Sequence, residues 1–366
     1  MAKPEQVVII GCGAIGASIA YKLSQSASLQ VTVLEANSQA GQGATGASLG
    51  VLMAACSQKA TGDLVTLRLA SLRLYEQLIP QLERQTGLSI PNCAGILCLS
   101  QKIGSESKWQ SLIGKRQQQG FDLQFFDRDH VRSKYPFLSA QSALYSPSDR
   151  ALHPSMLVQA LVKAATLNGA KFIYDRKVDR LADIPDADKI VITAGLGSDR
   201  LRQSLDLDLD LDRPSNLLAP VGGQAILVEL PDVSLNAVIH AEAANGEDIN
   251  IVPLGFDRYW IGATVEFEPD TLPRTSNISL LLDKAIEFCP AFAQAKIIET
   301  WAGYRPRPVS QRSPILGFLP SHPNVSIATG HYRNGVLMAP ITAEIINDLI
   351  LKGESDRPWQ GFALKS

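Results

Sequence analysis

The stretch VVIIGCGAIGASIAYKLSQSASLQVTVLE, residues 7–35, decides the fold. It opens with an apolar, β-branched run that is typical of a strand buried on both faces. Gly11, Gly13 and Gly16 follow in G-x-G-x-x-G spacing, and apolar residues then recur at helical intervals. A second apolar run ends at Glu35. The order of these features predicts a β-α-β unit with a glycine-rich turn before its helix.

The three glycines and the acid each have a mechanical role in such a unit. Gly11 permits the tight turn, Gly13 lets the backbone approach a pyrophosphate, and Gly16 lets the helix pack closely against the strand. The helix N-terminus offers N–H groups and a partial positive charge to that pyrophosphate. Glu35 is placed to accept a hydrogen bond from a ribose hydroxyl. The unit therefore predicts FAD or NAD rather than NADP, and it leaves the first two open.

Composition excludes several classes of function. The chain has 366 residues, is 45% hydrophobic and carries 34 basic and 36 acidic residues. Its length suits two domains, and its nearly balanced charge gives no reason to expect a nucleic-acid partner. The apolar runs are too short for a membrane span, and the polar MAKPEQ leads straight into the first strand without a signal peptide. We expect a cytoplasmic protein with no transmembrane segment.

The five cysteines and five histidines are dispersed. None of them has the spacing of a zinc site, and a disulfide framework is not expected in a long cytoplasmic chain. Cys12, inside the glycine motif, is interpreted as small filler. We therefore expect no bound metal.

Hydrophobic periodicity predicts the other elements. The predicted helices are 63–85, 106–119, 127–134, 153–167, 276–289 and 335–351. The predicted strands are 95–100, 170–174, 189–193, 224–230, 248–253, 259–264, 297–301 and 325–328. Residues 201–215 alternate Leu with Asp, and this segment is predicted to lie on the surface, as a strand or as a solvated loop.

The chain is predicted to leave its first sheet and return to it. The strands at 170–174 and 189–193 rejoin the β-α-β unit, whereas the later strands are typical of an antiparallel sheet. The predicted fold class is therefore α/β, mixed with α+β, with interleaved domains. A nucleotide-binding domain would comprise 1–56, 151–222 and 312–366, and a substrate domain would comprise 57–150 and 223–311.

Four segments carry a resemblance to a known family. They are the glycine motif with Glu35, GATGASLG at 43–50, WAGYRPRP at 301–308 and ATGHYRNGVLMAP at 328–340. In this order they resemble the FAD-dependent D-amino acid oxidase family, and most closely its glycine oxidase and sarcosine oxidase-like branch. The resemblance covers nearly the whole chain. It implies a Rossmann-like FAD-binding domain interleaved with a substrate domain that is built on a large antiparallel sheet.

The resemblance also implies where FAD lies. The residues expected at the pyrophosphate are Gly11, Gly13, Ala14, Ile15 and Gly16, with Glu35 and Ala36 at the adenosine ribose and Val178 at the adenine end. The residues expected along the flavin are Ala44, Thr45, Leu49, Gly50 and Val51. Those expected around the isoalloxazine are Gly330, His331, Tyr332, Arg333, Asn334, Gly335, Val336 and Leu337. The final helix begins in that last segment. Its positive end can face the pyrimidine edge, where reduced flavin is negative.

Substrate residues follow from the same resemblance. Arg305 matches the arginine that binds the substrate carboxylate, and a planar guanidinium suits that role because it forms two parallel hydrogen bonds. Arg333 is the second candidate. Asn250 stands where glycine oxidases have tyrosine, and Val265 stands where they have methionine, so substrate preference cannot be transferred. Tyr304 is a candidate for aromatic surface, and His331 is not interpreted as a catalytic base.

The implied activity is oxidation of the C–N bond of a small amino acid or secondary amine, of the glycine, sarcosine, proline or D-amino acid type. Hydride would pass to flavin N5, the imine would hydrolyse to an oxo acid, and O2 would reoxidise the flavin to give H2O2. FAD is expected to be non-covalent, because the cysteine that links it in sarcosine oxidases has no counterpart. The alternatives are a dehydrogenase that uses a quinone or carrier, a flavin-binding protein without catalysis and, more remotely, an NAD enzyme. A homo-oligomer remains open.

Overall fold

The computed structural model describes residues 3–364 except 103, 105, 181–182, 185–186, 205–215, 243–245, 268–271 and 321. Most of the Leu/Asp segment therefore lies outside the described residues. The strands are β1 Glu5–Ile10, β2 Leu29–Leu34, β3 Val51–Leu52, β4 Asn92–Ser100, β5 Gln124–Asp127, β6 Ser142–Leu152, β7 Lys171–Ile173, β8 Lys189–Ile192, β9 Leu218–Glu229, β10 Val238–Glu242, β11 Asp248–Gly255, β12 Arg258–Gly262, β13 Lys296–Pro308, β14 Ile315–Leu319 and β15 His322–Thr329. The helices are α1 Ala14–Leu23, α2 Asp63–Thr86, α3 Glu106–Gln118, α4 Arg128–Lys134, α5 Pro154–Leu167, α6 Ser198–Gln203, α7 Thr275–Phe288 and α8 Gly335–Lys352.

Within the described residues the strands form two sheets, and the first has the order β14-β15-β8-β1-β2-β7. Its pairings are parallel apart from β14 with β15. The central strand β1 is buried on both faces: Val7 and Ile9 pack in one apolar cluster, and Val8 and Ile10 pack in another. The predicted β-α-β unit and the mixed α/β class are confirmed.

The second sheet has the order β13-β9-β12-β11-β10-β4-β6-β3, with β5 paired to β6. Most of its pairings are antiparallel, as predicted, although β10 and β4 run parallel. Strand β13 is longer than predicted and ends at Pro308, so Arg305 lies inside a strand. Since β13 is an edge strand, it tolerates prolines that a central strand would exclude.

Helix α8 is long and apolar enough to cross a membrane, but 72% of its most apolar window is buried inside the protein. It packs on α1 and α2 in the main apolar cluster. The Ser71 hydroxyl of α2 donates to the Leu337 carbonyl at 2.6 Å, and the Tyr75 hydroxyl donates to the Val336 carbonyl at 2.5 Å. Helix α2 therefore fixes the position of the N-terminal turn of α8.

The domain boundaries remain a prediction. The strands of the first sheet all fall in the segments assigned to the nucleotide-binding domain. Strands β6 and β9 run across the assigned boundaries, and β3 lies in residues 1–56 yet pairs with β6 of the second sheet.

Candidate active site

A cavity of about 1310 Å³ is lined by residues from both sheets. This volume exceeds the roughly 300–1,000 Å³ of ordinary small-ligand pockets, as an extended dinucleotide requires. From the sequence-predicted set, it brings together Gly11, Gly13, Ala14, Ile15, Glu35, Ala36, Ala44, Thr45, Leu49, Gly50, Val51, Val178, Asn250, Tyr304, Arg305, Gly330, His331, Tyr332, Arg333, Asn334, Gly335, Val336 and Leu337. Gly16 and Val265 do not line it.

The three glycines of the motif face different surroundings. Gly11 has a φ of +97°, and a Cβ there would lie 2.8 Å from the Thr193 carbonyl oxygen. A Cβ on Gly16 would overlap the Gly11 carbonyl, so Gly16 serves the packing of α1 against the turn and points away from the cavity. A Cβ on Gly13 would meet only the Thr45 hydroxyl within 4 Å, at 3.2 Å. Gly13 therefore keeps an open approach from the cavity to the backbone.

The Glu35 carboxylate is held by hydrogen bonds from nearby residues. It is 7% exposed, and its Oε2 accepts a hydrogen bond from the Cys12 backbone N–H at 2.7 Å. Its Oε1 accepts from the Asn37 backbone at 2.9 Å and from the Asn37 side chain at 2.6 Å. Oε2 accepts only one of these bonds and so has further acceptor capacity for a ribose hydroxyl. Burial, together with Glu35, raises the pKa of the Cys12 thiol, so Cys12 is an unreactive filler.

The loop of small residues links the two ends of the cavity. The Ala14 backbone N–H, at the start of α1, donates to the Thr45 hydroxyl at 3.0 Å. Two residues later along the loop, the Ala47 carbonyl accepts from the Trp301 indole of β13 at 3.0 Å. The loop is thus anchored at one side to the glycine motif and at the other side to the strand that carries Arg305.

The N-terminus of α8 lies at the cavity. The helix begins at Gly335, and the preceding Asn334 makes no side-chain capping bond, so the first N–H groups can meet an anionic ligand. His331 is 4% exposed, and its Nε2 lies 3.0 Å from the Thr342 hydroxyl. Burial lowers the pKa of His331 to about 3, so the ring is neutral at ordinary pH. This supports a packing role for His331 rather than a role as base.

Arg305 is a fixed guanidinium with free N–H groups. Its Nη1 donates to the Gly222 carbonyl at 2.7 Å and to the Thr264 carbonyl at 3.1 Å. The group lies so close to Gly223 that a Cβ there would overlap it. Its other N–H groups make no hydrogen bond to the described residues. Burial, followed by repulsion from Arg333, lowers the pKa of Arg305, and the negative charge of an incoming carboxylate would act against this lowering.

Arg333 is already paired. Its Nη2 donates to Asp248 Oδ2 at 2.8 Å, and the side chains of the two partners are 42% and 35% exposed. Tyr304 and Asn250 also line the cavity, on β13 and β11. Unlike Arg333, Arg305 is held by carbonyl groups and not by a carboxylate, so its charge is the one available to a substrate carboxylate.

The place of Val265 in the substrate pocket stays a prediction, because Val265 is not among the residues that line the cavity, whereas Ala263 is. The preceding Thr264 is 7% exposed, and its hydroxyl accepts from the Gln224 backbone at 2.7 Å. Val265 itself is 36% exposed. The contribution of this segment to the cavity is the Thr264 carbonyl that holds Arg305.

The cavity is also lined by His240, Asp248 and Arg68, which were not predicted from the sequence. Asp248 lies two residues before Asn250 on the same strand, so the period of two could have found it. His240 lies on β10, which was not predicted, and its position depends on the register of that strand. Arg68 lies on α2 and donates to the Met53 carbonyl.

Comparison with known proteins identifies the family. The FAD dependent oxidoreductase (DAO) family profile matches residues 6–349. The chain belongs to this family. It is 28% identical to a glycine oxidase of Geobacillus kaustophilus over 98% of this chain and 96% of that protein. It is 31% identical to the bifunctional protein ThiO/ThiG of Synechocystis over 96% of this chain and 52% of that protein.

The fold agrees with these relationships. The crystal structure of glycine oxidase from Geobacillus kaustophilus superposes with a TM-score of 0.86 at 26% identity, covering 99% of both chains. The protein is therefore an FAD-dependent oxidoreductase of the glycine oxidase type that acts on amino acids or amines. These findings favour an enzyme over a non-catalytic flavin carrier, and FAD over NAD.

The cavity fits FAD at both ends. The open side of Gly13 and the start of α1 offer backbone N–H groups to a pyrophosphate, and Glu35 lies beside them. The start of α8 offers positive helix potential at the other end.

Proposed function

We propose that the protein oxidises the Cα–N bond of a small amino acid with a free carboxylate, of the glycine, sarcosine, proline or D-amino acid type. The observation that carries this proposal is Arg305, a fixed guanidinium with unpaired N–H groups in the cavity that also contains the glycine motif. Molecular oxygen is the proposed electron acceptor.

In this reaction the substrate loses a hydride from Cα and a proton from nitrogen, which leaves an imine. Water hydrolyses the imine to an oxo acid and ammonia or an amine, and O2 takes up the two electrons and two protons as H2O2. Bound FAD supplies the acceptor for the hydride. Arg305 binds the carboxylate and thereby fixes the direction of the Cα–H bond, which is a positioning contribution.

Other residues have supporting roles in the proposal. Arg333, Asn250 and Tyr304 complete the substrate end, and the predicted cofactor residues that line the cavity hold FAD. FAD is proposed to be non-covalent, because Cys12 is the cysteine in the described lining and its buried thiol is not a nucleophile. Cytoplasmic location and a homo-oligomeric state remain predictions.

Anaerobic mixing with an amino-acid panel tests the proposal. We expect glycine, sarcosine, proline or a D-amino acid to bleach the oxidised flavin absorption, and we expect H2O2 to form in air at the rate of substrate loss. If none of these compounds reduces the flavin, the proposed substrate class is wrong. If the flavin is reduced but electrons reach a quinone or dye and not oxygen, the enzyme is a dehydrogenase instead.

A further inference from the structure

The side chains of His240 and Asn250 form a pair on the cavity wall that lies apart from the carboxylate-binding arginine. The two residues are register partners on β10 and β11, and both line the cavity. Their strand neighbours are buried in an apolar cluster on the opposite face of the sheet: Ile239, Ala241, Ile249 and Ile251. The alternation of the strands therefore directs His240 and Asn250 towards the cavity.

The hydrogen bonds of Asn250 fix its orientation. The Gly262 carbonyl can only accept, so the atom that faces it at 3.3 Å is the Asn250 amide nitrogen Nδ2. The amide oxygen Oδ1 consequently faces His240 Nδ1, at 3.0 Å. An amide oxygen can only accept, and so His240 Nδ1 must carry the hydrogen and donate it.

This assignment determines the other ring nitrogen of His240. Burial lowers the pKa of His240, so the ring is neutral at ordinary pH, and a neutral ring protonated at Nδ1 presents a lone pair at Nε2. Nε2 makes no hydrogen bond to the described residues. The nearest acid on the same face of β11, Asp248, is paired with Arg333. Nε2 is therefore an acceptor that the protein has oriented and left unused.

We propose that His240 Nε2 accepts a hydrogen bond from the amino group of the substrate, and that Asn250 positions the ring for this contact. The inference rests on the proposed function, because it assigns a role within the same site. Arg305 would bind the carboxylate and His240 would bind the nitrogen, so different residues recognise the two ends of a small amino acid. Ligands that carry a carboxylate but no N–H group are selected against.

The test compares ligands that differ at nitrogen. Glycine has a carboxylate and N–H groups, acetate has only the carboxylate, and betaine has a carboxylate and a cation without N–H. Each Kd is measured on the holoprotein from the absorption change of the oxidised flavin, or from the concentration dependence of its anaerobic reduction where turnover occurs. Wild-type protein should bind glycine more tightly than acetate or betaine.

His240→Phe keeps a ring and removes both nitrogens. We expect it to raise the Kd for glycine about 10- to 100-fold, the effect of one hydrogen bond to a charged group, with the Kd for acetate unchanged within twofold. Asn250→Leu keeps the His240 imidazole but removes the hydrogen bond that orients it, so we expect a smaller rise in the Kd for glycine. In the double variant the two effects should not add, because Asn250 acts through His240. His130→Phe, at an exposed ring stacked on Phe126, is the matched control.

The outcomes separate this inference from the proposed function. An unchanged preference for glycine over acetate in His240→Phe would overturn the inference, even if Arg305→Ala abolishes binding of both ligands. If wild-type protein shows no preference for glycine over acetate, the inference fails as well. If glycine, sarcosine, proline and D-amino acids all leave the flavin oxidised, yet glycine binds with a preference over acetate that depends on His240, the inference stands and the proposed reaction is wrong.

Discussion

The two ends of the cavity are built in different ways. The end that holds the glycine motif comes from residues 7–35, and its contacts are made largely by backbone groups and by Glu35. The substrate end combines side chains from β10, β11 and β13 with the segment before α8, which are far apart in the chain. Close backbone approach restricts substitution at the first end, whereas the second end can vary its side chains and so its substrate.

The largest expected effect is a loss of stability at the glycine motif, caused by a substitution that disturbs packing and not the cofactor site. In Gly16→Ala the new Cβ overlaps the Gly11 carbonyl, which is backbone and cannot move aside. We expect a loss of more than about 3 kcal/mol in the free energy of unfolding, which is large against a total of roughly 5–15 kcal/mol. Soluble yield and urea denaturation of the variant provide the measurement.

Gly13→Ala is the matched comparison. Its Cβ meets only the Thr45 hydroxyl, at 3.2 Å, but it occupies the open approach to the backbone. We expect the stability of the apoprotein to change by less than about 1 kcal/mol, as for an N-cap substitution, while FAD affinity falls at least 100-fold. Titration with FAD, followed by flavin fluorescence, measures this. Equal stability losses in the two variants would contradict the division between packing and cofactor roles.

At the substrate end, a smaller but specific effect is expected from Arg305→Lys. Lysine keeps the charge but loses the planar fork, so we expect kcat/KM to fall about 100-fold, equivalent to about 3 kcal/mol. Arg307→Lys in the same strand is the control: Arg307 is exposed, with its guanidinium 5.4 Å from the ring centre of Phe267. Steady-state kinetics of both variants provide the two kcat/KM values to be compared. A similar loss in Arg307→Lys would mean that β13 responds to any arginine change.

The same contrast explains what the sequence could predict. The β-α-β unit was predictable because its signals are contiguous: glycine spacing, period and a terminal acid. Arg305 was found by a motif, but its contacts with Gly222 and Thr264 depend on strands that pair across long sequence separations. The place of Val265 stays a prediction, because the segment after Gly262 is held by contacts between residues far apart in the chain, such as the bond from the Gln224 backbone to Thr264, which no local pattern reveals.

The burial of His331 at the substrate end can be tested through the pH dependence of protein stability, without any measurement of activity. The pKa of His331 is about 3 in the folded protein and about 6.5 when unfolded, so the unfolded chain binds more protons between these values. Stability must therefore fall as pH decreases below 6.5, by about 2 kcal/mol at pH 5 from this group alone.

His331→Gln removes that titration and keeps an amide that can reach Thr342. We expect its urea midpoint to decline less than that of wild-type protein between pH 7 and pH 5. Because His153 and His240 also have lowered pKa values, the difference between the two proteins, rather than either curve, isolates His331. Parallel curves would show that His331 is not the buried neutral group described above.

The smallest expected stability effect comes from the ion pair of Arg333 and Asp248, whose side chains are 42% and 35% exposed. Solvent screening limits such a pair to at most about 1 kcal/mol, so Asp248→Asn should leave the urea midpoint nearly unchanged. Its effect should appear in binding, because the released Arg333 adds an uncompensated cation to a cavity that already contains Arg305. We expect acetate to bind more tightly and its Kd to become more sensitive to salt. A fall in stability without any change in acetate affinity would mean that the ion pair supports the fold and not ligand binding. The substrate end would then depend on fixed structural contacts, as the glycine motif does.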